Sequence, residues 1–162
     1  MTVASRVAVM NEGVIVQVST PDVIYEAPNS VYVADFIGDV NIVEGTATHE
    51  GERARIDWAE GQPPRMAKTQ KDFSLDQQCW LAIRPEKVAI SAERPQAPNT
   101  LRGRILDIAY LGNISTYHVE LAGGQMVKAQ MVNARRLSNR HITWEDAVWI
   151  GFTETAGVVL EE

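Results

Sequence analysis

Trp80-Leu81-Ala82-Ile83-Arg84-Pro85-Glu86-Lys87-Val88-Ala89-Ile90-Ser91 is an apolar run rich in Leu, Ile and Val, broken in its middle by Arg-Pro-Glu. Proline has no N–H to give a sheet, so the run predicts two short strands around a bend. Strand-like segments separated by Gly, Asn and Pro lie on both sides of it. Asn41–His49 and Glu52–Trp58 flank the turn at Glu50-Gly51, Glu60–Lys71 reads as a loop around Gly61 and Pro63-Pro64, and Glu93–Asn99 reads as a linker. Leu101–Leu111 begins by alternating and then turns apolar on both faces at Ile105, Leu106 and Ile108, the pattern of a central strand.

The next hairpin permits a register prediction. Tyr117, Val119 and Leu121 alternate with His118 and Glu120, and Val127, Ala129 and Met131 alternate with Lys128 and Gln130. A two-residue loop would oppose Val119 to Lys128 and mix the faces. A three-residue loop, Ala122-Gly123-Gly124, opposes Val119 to Val127 and Tyr117 to Ala129, with a glycine in the left-handed conformation. Asp146–Phe152 and Val158–Leu160 close the chain as further strands. Residues 41–91 and 100–160 are both strand-rich without a legible residue-level repeat. The expected architecture is mostly β, a compact barrel or pair of small barrels of about eight to ten short strands.

The first 38 residues have a different grammar. Arg6-Val-Ala-Val-Met10 and Val14-Ile-Val-Gln-Val18 around Asn11-Glu12-Gly13 read as a hairpin. Thr20-Pro21-Asp22 offers an N-cap, a first-turn proline and a first-turn acid for a short helix through Glu26. Ser30 can cap a second helix, in which Val33, Phe36 and Ile37 share one face and Gly38 ends it. So short a unit must pack on something else.

Composition excludes several classes. Apolar residues make up 45% and charged residues 22% of the 162, enough to bury a core. The net charge of −6 repels nucleic acid, so no nucleic-acid partner is expected. Cys79 is the only cysteine and reads as a small buried hydrophobe, compatible with a reducing cytosol. No apolar run approaches the ~20 residues of a membrane-spanning helix.

The catalytic search is nearly empty. No G-x-x-x-x-G-K-[ST] phosphate loop occurs, and His49, His118 and His141 show no metal-ligand spacing. Arg84 and Glu86 flank Pro85 and point to the same side. They either present themselves to a subunit or ligand, or hydrogen-bond backbone around the bend. Arg135, Arg136 and Arg140 form the one basic cluster, a candidate contact for an anion or acidic partner or a solvated loop. Trp144 and Trp149 read as core residues.

The order of these motifs resembles a known family. Arg6-Val-Ala-Val-Met-Asn-Glu-Gly13, Gln17-Val-Ser-Thr-Pro-Asp-Val-Ile-Tyr-Glu-Ala-Pro28 and Val33-Ala-Asp-Phe-Ile-Gly38 resemble the end of the ATP-binding domain of sugar- and polyamine-type ABC importers. Ile83-Arg84-Pro85-Glu86, Tyr110-Leu111-Gly112-Asn113 and Val158-Val159-Leu160 are similar to the C-terminal, transport-associated regulatory domain of those subunits. The resemblance covers the whole chain and is strongest to putrescine and spermidine importers. It implies residues 1–38 as the remnant of an ATP-binding domain and residues 39–162 as an OB-like β-barrel regulatory domain. The Walker motifs, signature motif and switch histidine are missing, so it implies a C-terminal, non-catalytic fragment without cofactor, ATP and magnesium belonging to the parent protein. Its implied role is regulation and dimerisation, with a second ATP-binding subunit and the transmembrane permease subunits as partners at the cytoplasmic face of the bacterial membrane. Arg84, Glu86, Asn113, Arg135 and Arg136 are the candidate interface or ligand contacts. A small barrel that senses an anion or polyamine is the alternative.

Overall fold

A computed structural model describes residues 4–133 and 142–161. The N-terminal unit consists of β1 (Val7–Asn11), β2 (Val14–Ser19), α1 (Pro21–Glu26) and α2 (Val31–Ile37). Glu12 and Gly13 carry φ of 48° and 82°, positive at both central turn positions, as a tight hairpin with native twist needs. Thr20 precedes α1 but makes no capping hydrogen bond to its backbone; its hydroxyl bonds instead to Asp22, lowering that carboxyl's pKa. Ser30 does cap α2, accepting from the Val33 amide. Val9, Ile24 and Val33 bury a small cluster backed by Val7, Val16 and Ile37. Phe36 departs from the expected helix face: it is 64% exposed and stacks on Tyr32, while Val33 and Ala34 point inward.

Ten strands follow: β3 (Asn41–Glu50), β4 (Arg53–Asp57), β5 (Arg65–Lys68), β6 (Gln77–Ile83), β7 (Ala89–Ser91), β8 (Asn99–Tyr110), β9 (Ile114–Leu121), β10 (Met126–Val132), β11 (Ala147–Phe152) and β12 (Gly157–Leu160). They form two five-stranded sheets, ordered β12-β6-β3-β4-β5 and β10-β9-β8-β11-β7, each curled into a half-barrel over one shared core. β5 lies inside the stretch read from sequence as a loop; four residues flanked by Pro63-Pro64 carry too little periodicity to be seen. Lone glycines and prolines mark where strands end, not which sheet they join.

The bend in the opening stretch is a 3₁₀ turn, Pro85–Lys87, and it carries the chain from one sheet to the other. β6 pairs with β3, but β7 pairs with β11. The second half mirrors this, since β11 pairs with β8 while β12 returns to β6. The halves are therefore counterparts that exchange their last strands. Asn41 faces Ile83 as Asn99 faces Phe152, and Trp80 faces Leu160 as Trp149 faces Ser91.

Residue-level repetition, too faint to be read along the chain by itself, becomes clear once the registers are known. Asn41-Ile-Val-Glu-Gly45 matches Asn99-Thr-Leu-Arg-Gly103, and Cys79-Trp-Leu-Ala-Ile83 matches Val148-Trp-Ile-Gly-Phe152. Gly45 and Gly103 have the same reason to be glycine: an added Cβ would lie 2.7 Å from the Asp57 or the Glu120 carbonyl oxygen, respectively. Asn41 exchanges two hydrogen bonds with the Lys128 backbone at 2.7 and 2.8 Å, and Asn99 does so with the Met66 backbone at the same distances. Lys128 and Met66 are themselves counterparts, so each half is stitched to the other by one buried asparagine.

β8 lies at the centre of its sheet, as its apolar run implied. The run is not buried on both faces. A register shift between Ile105 and Asp107 turns Ile105 and Ile108 inward and leaves Leu106 37% exposed. The β9–β10 hairpin has the expected register, Val119 opposite Val127 and Tyr117 opposite Ala129, with Gly124 at φ 83°. Cys79 is fully buried, and burial pushes its thiol up to about 11.

Candidate coupling site at the Arg84 turn

β6 ends at Ile83, and Pro85 starts the 3₁₀ turn with its ring buried in place of a sheet N–H. This geometry turns Arg84 away from the shared core, towards the end of α2. Arg84 is 5% exposed. Its Nη1 donates to the carbonyl oxygens of Ala34, Gly38 and Asp39 at 2.9, 2.9 and 3.0 Å. A helix leaves its last carbonyls without intrahelical partners, so the guanidinium serves α2 as a C-terminal cap. It also lies 4.3 Å from the centre of the Tyr25 ring, a cation–π distance, with Nη2 donating to the Tyr25 carbonyl at 3.5 Å.

Glu86 lies on the same side of the turn and accepts from the Tyr25 hydroxyl at 2.6 Å. Burial first, and the Glu86 hydrogen bond second, push the Tyr25 phenol up to about 12. Lys87 pairs with Glu26 at the end of α1. Tyr25 is thus held on its face by Arg84 and at its hydroxyl by Glu86.

A second set of contacts fixes the connecting segment. Asp39, whose carbonyl accepts from Arg84, pairs through its carboxylate with Lys128 Nζ at 2.7 Å. Two residues on, Asn41 holds the Lys128 backbone. Residues 38–41 therefore touch α2, the Arg84 turn and β10 of the opposite sheet at once. Ala34, Ala82 and Leu160 seal the junction with Val31, Val40, Trp80 and Val158 around them.

The other sequence-derived candidates do not converge here. Asn113 is exposed in the β8–β9 turn, where its carbonyl accepts from the Asn133 amide at 2.8 Å. Arg135, Arg136 and Arg140 lie outside the described residues. Trp144 is 53% exposed and donates to Asp107 at 3.5 Å, not buried as expected, whereas Trp149 is half-buried with Arg94 over its ring. Sequence reasoning missed Tyr25, Asp39, Asn41 and Asn99. Nothing in their local pattern signals a partner so far along the chain, although the shared Asn-x-x-x-Gly spacing of the two asparagines could have been noticed.

No metal-binding group of His, Cys, Asp or Glu occurs among the described residues, and no described helix is long and apolar enough to cross a membrane. The chemistry of the site is structural: it locks a helical unit to a barrel.

Comparison with known proteins agrees with the motif order. The TOBE domain family model matches residues 81–160. Over 99% of its length the chain is 39% identical to the putrescine transport ATP-binding protein PotG of Escherichia coli, of which it covers 43%. It is 33% identical over 99% of its length to the spermidine/putrescine import ATP-binding protein PotA of Nitrosomonas eutropha, covering 45% of that protein. The chain thus spans a little under half the length of these relatives. Among solved structures, the cytoplasmic molybdate-binding protein ModG superposes with a TM-score of 0.61 at 13% identity, over 74% of this chain and 94% of its own, which shows a common fold. Residues 81–160 therefore match the TOBE domain family, within a chain similar along nearly its whole length to the C-terminal part of the ATP-binding subunits of polyamine ABC importers.

Proposed function

We propose that this chain is the non-catalytic regulatory part of an ATP-binding subunit that powers a putrescine or spermidine importer. In this reading residues 1–38 complete the ATP-binding domain and residues 39–162 form the regulatory barrel. The observation that carries the reading is the Arg84 site, where one buried guanidinium at the turn between β6 and β7 holds the helical unit and Asp39 and Asn41 tie the connecting segment to β10 of the other sheet. A displacement of the helical unit cannot be absorbed at a loose linker; it must move the barrel. Two subunits pair at the cytoplasmic face of the membrane, and contacts between barrels that exist in one state of the pair bias ATP hydrolysis and transport by shifting populations.

Exposed apolar side chains support two contact faces. Met10, Val14, Ile15 and Phe36 present one on the helical unit, suited to an ATPase core. Leu111 and Val132, 62% and 71% exposed at one end of the barrel, present another, suited to the second barrel. The test uses the full-length subunit with its permease. Leu111→Glu with Val132→Glu should weaken subunit pairing in light scattering and release transport from regulation, with ATP hydrolysis retained. Unchanged pairing and unchanged regulation would overturn the proposal.

A second reading is small-ligand sensing, favoured by the fold shared with a protein whose described ligand is molybdate. Calorimetry with putrescine, spermidine, molybdate and sulfate separates the two: heat with any of them supports sensing, and none supports scaffolding.

A further inference from the structure

The correspondence of the two halves exposes one position that breaks it. Arg65 of β5 faces Ile56 as Val127 of β10 faces Val119, so Arg65 and Val127 are counterparts. One half fills this inward position with an aliphatic side chain, and the other places a cation there. Arg65 is 2% exposed. Its guanidinium lies 4.6 Å from the Trp58 ring, and Nη1 donates only to the neighbouring Pro64 carbonyl, at 3.5 Å. Nη2 is buried without a hydrogen-bond partner, and no carboxylate among the described residues pairs with Arg65. Burial lowers its pKa to about 10, which still leaves it charged at neutral pH.

Beside Arg65 lies a largely enclosed cavity of about 20 Å³ between the sheets. Three counterpart pairs contribute to its walls, Val43 with Leu101, Ile83 with Phe152, and Arg65 with Val127, while Asn41, Trp58, Leu81 and Val88 complete them from one half only, so the cavity sits near the pseudo-two-fold axis. One water needs roughly 10–15 Å³ by the same measure, so the space admits a water or two or a single monatomic anion, and excludes a tetrahedral oxyanion or a polyamine. A water would satisfy the Nη2 hydrogens but bring no negative charge to walls that, apart from Arg65 itself and Asn41, are aliphatic and aromatic, with the Trp58 ring face offsetting the guanidinium only in part. A monovalent anion satisfies both demands.

We propose that this cavity is a halide site, in which one chloride accepts from Arg65 Nη2 and neutralises the guanidinium at the junction of the two half-barrels. The ion is a resident structural partner, distinct from any transported or sensed solute.

Thermal unfolding of the 162-residue chain and of Arg65→Met, in sodium chloride, bromide and gluconate at constant ionic strength, tests it. Chloride and bromide should raise the wild-type melting temperature along a saturable curve, by about 4 °C for each tenfold increase above the dissociation constant. Gluconate, too large to enter, should not, and Arg65→Met should respond equally to all three salts. Equal responses of wild type and variant would overturn the proposal. Should Arg65→Met not fold, anomalous diffraction from wild-type crystals grown in bromide decides alone. A peak within hydrogen-bond distance of Nη2 supports the site, and a water in that place with no bromide signal refutes it.

Discussion

Replacing Arg84 by alanine removes a side chain that touches α1, α2 and the connecting segment together. Nη1 has two hydrogens shared among three carbonyls, so two full charge-assisted bonds are a fair count, worth about 3–6 kcal/mol gross. The Tyr25 ring contact contributes about 1 kcal/mol more. Against this stands the desolvation of a guanidinium that is 5% exposed, which the variant no longer has to bear. Partial rehydration of the freed carbonyls offsets a little more. The net expected loss is about 3 kcal/mol, or a melting temperature lower by roughly 6–12 °C. Urea unfolding followed by tryptophan fluorescence measures the first figure. Hydrogen exchange measures something more specific, because α1 and α2 should open at lower free energy than β3, β6 and β8, splitting one cooperative unit into two. Arg84→Lys keeps the charge but loses the second nitrogen, and should cost about 1–2 kcal/mol. A loss below about 1 kcal/mol in Arg84→Ala, or uniform exchange across helices and barrel, would refute the view that this side chain couples them.

Other expected outcomes rest on separate contacts. Asn41→Ala and Asn99→Ala each orphan a backbone N–H and C=O in the opposite sheet and should each cost about 2–3 kcal/mol in urea unfolding, with comparable values because the sites are counterparts. Gly45→Ala and Gly103→Ala push a methyl group against a backbone carbonyl and should each destabilise by about 2 kcal/mol on the same assay. The Tyr25 phenol is raised to about 12 in the folded chain, above its ordinary 10, so its contribution is fully present below pH 10 and is lost as pH rises from 10 through 12. Comparing wild type with Tyr25→Phe across that window should reveal a difference of about 2 kcal/mol in pH dependence, and parallel curves would count against the Glu86 contact. Cys79, buried and with its thiol raised to about 11, should react with a thiol reagent only as fast as the chain opens, so labelling rates should track urea concentration.

Local chemistry wrote much of the architecture into the sequence. The Gly123-Gly124 pair and two alternating patterns determined the β9–β10 register, because a one-residue slip would expose every apolar side chain of one strand. The proline at 85 determined that one apolar run becomes two strands, and Ser30 marked the start of α2. The motif order also placed Arg84 and Glu86 at the centre of interest. Whatever depended on distance along the chain was decided elsewhere. The exchange of β7 and β12 between sheets, the asparagine stitches and the grip of Arg84 on α2 join residues 33 to 87 positions apart, and a side chain's own neighbours in sequence carry no record of such partners. Arg65 shows the same division: the sequence places it after two prolines in an apparent loop, and only the closing of two half-barrels turns it into a buried cation facing a cavity.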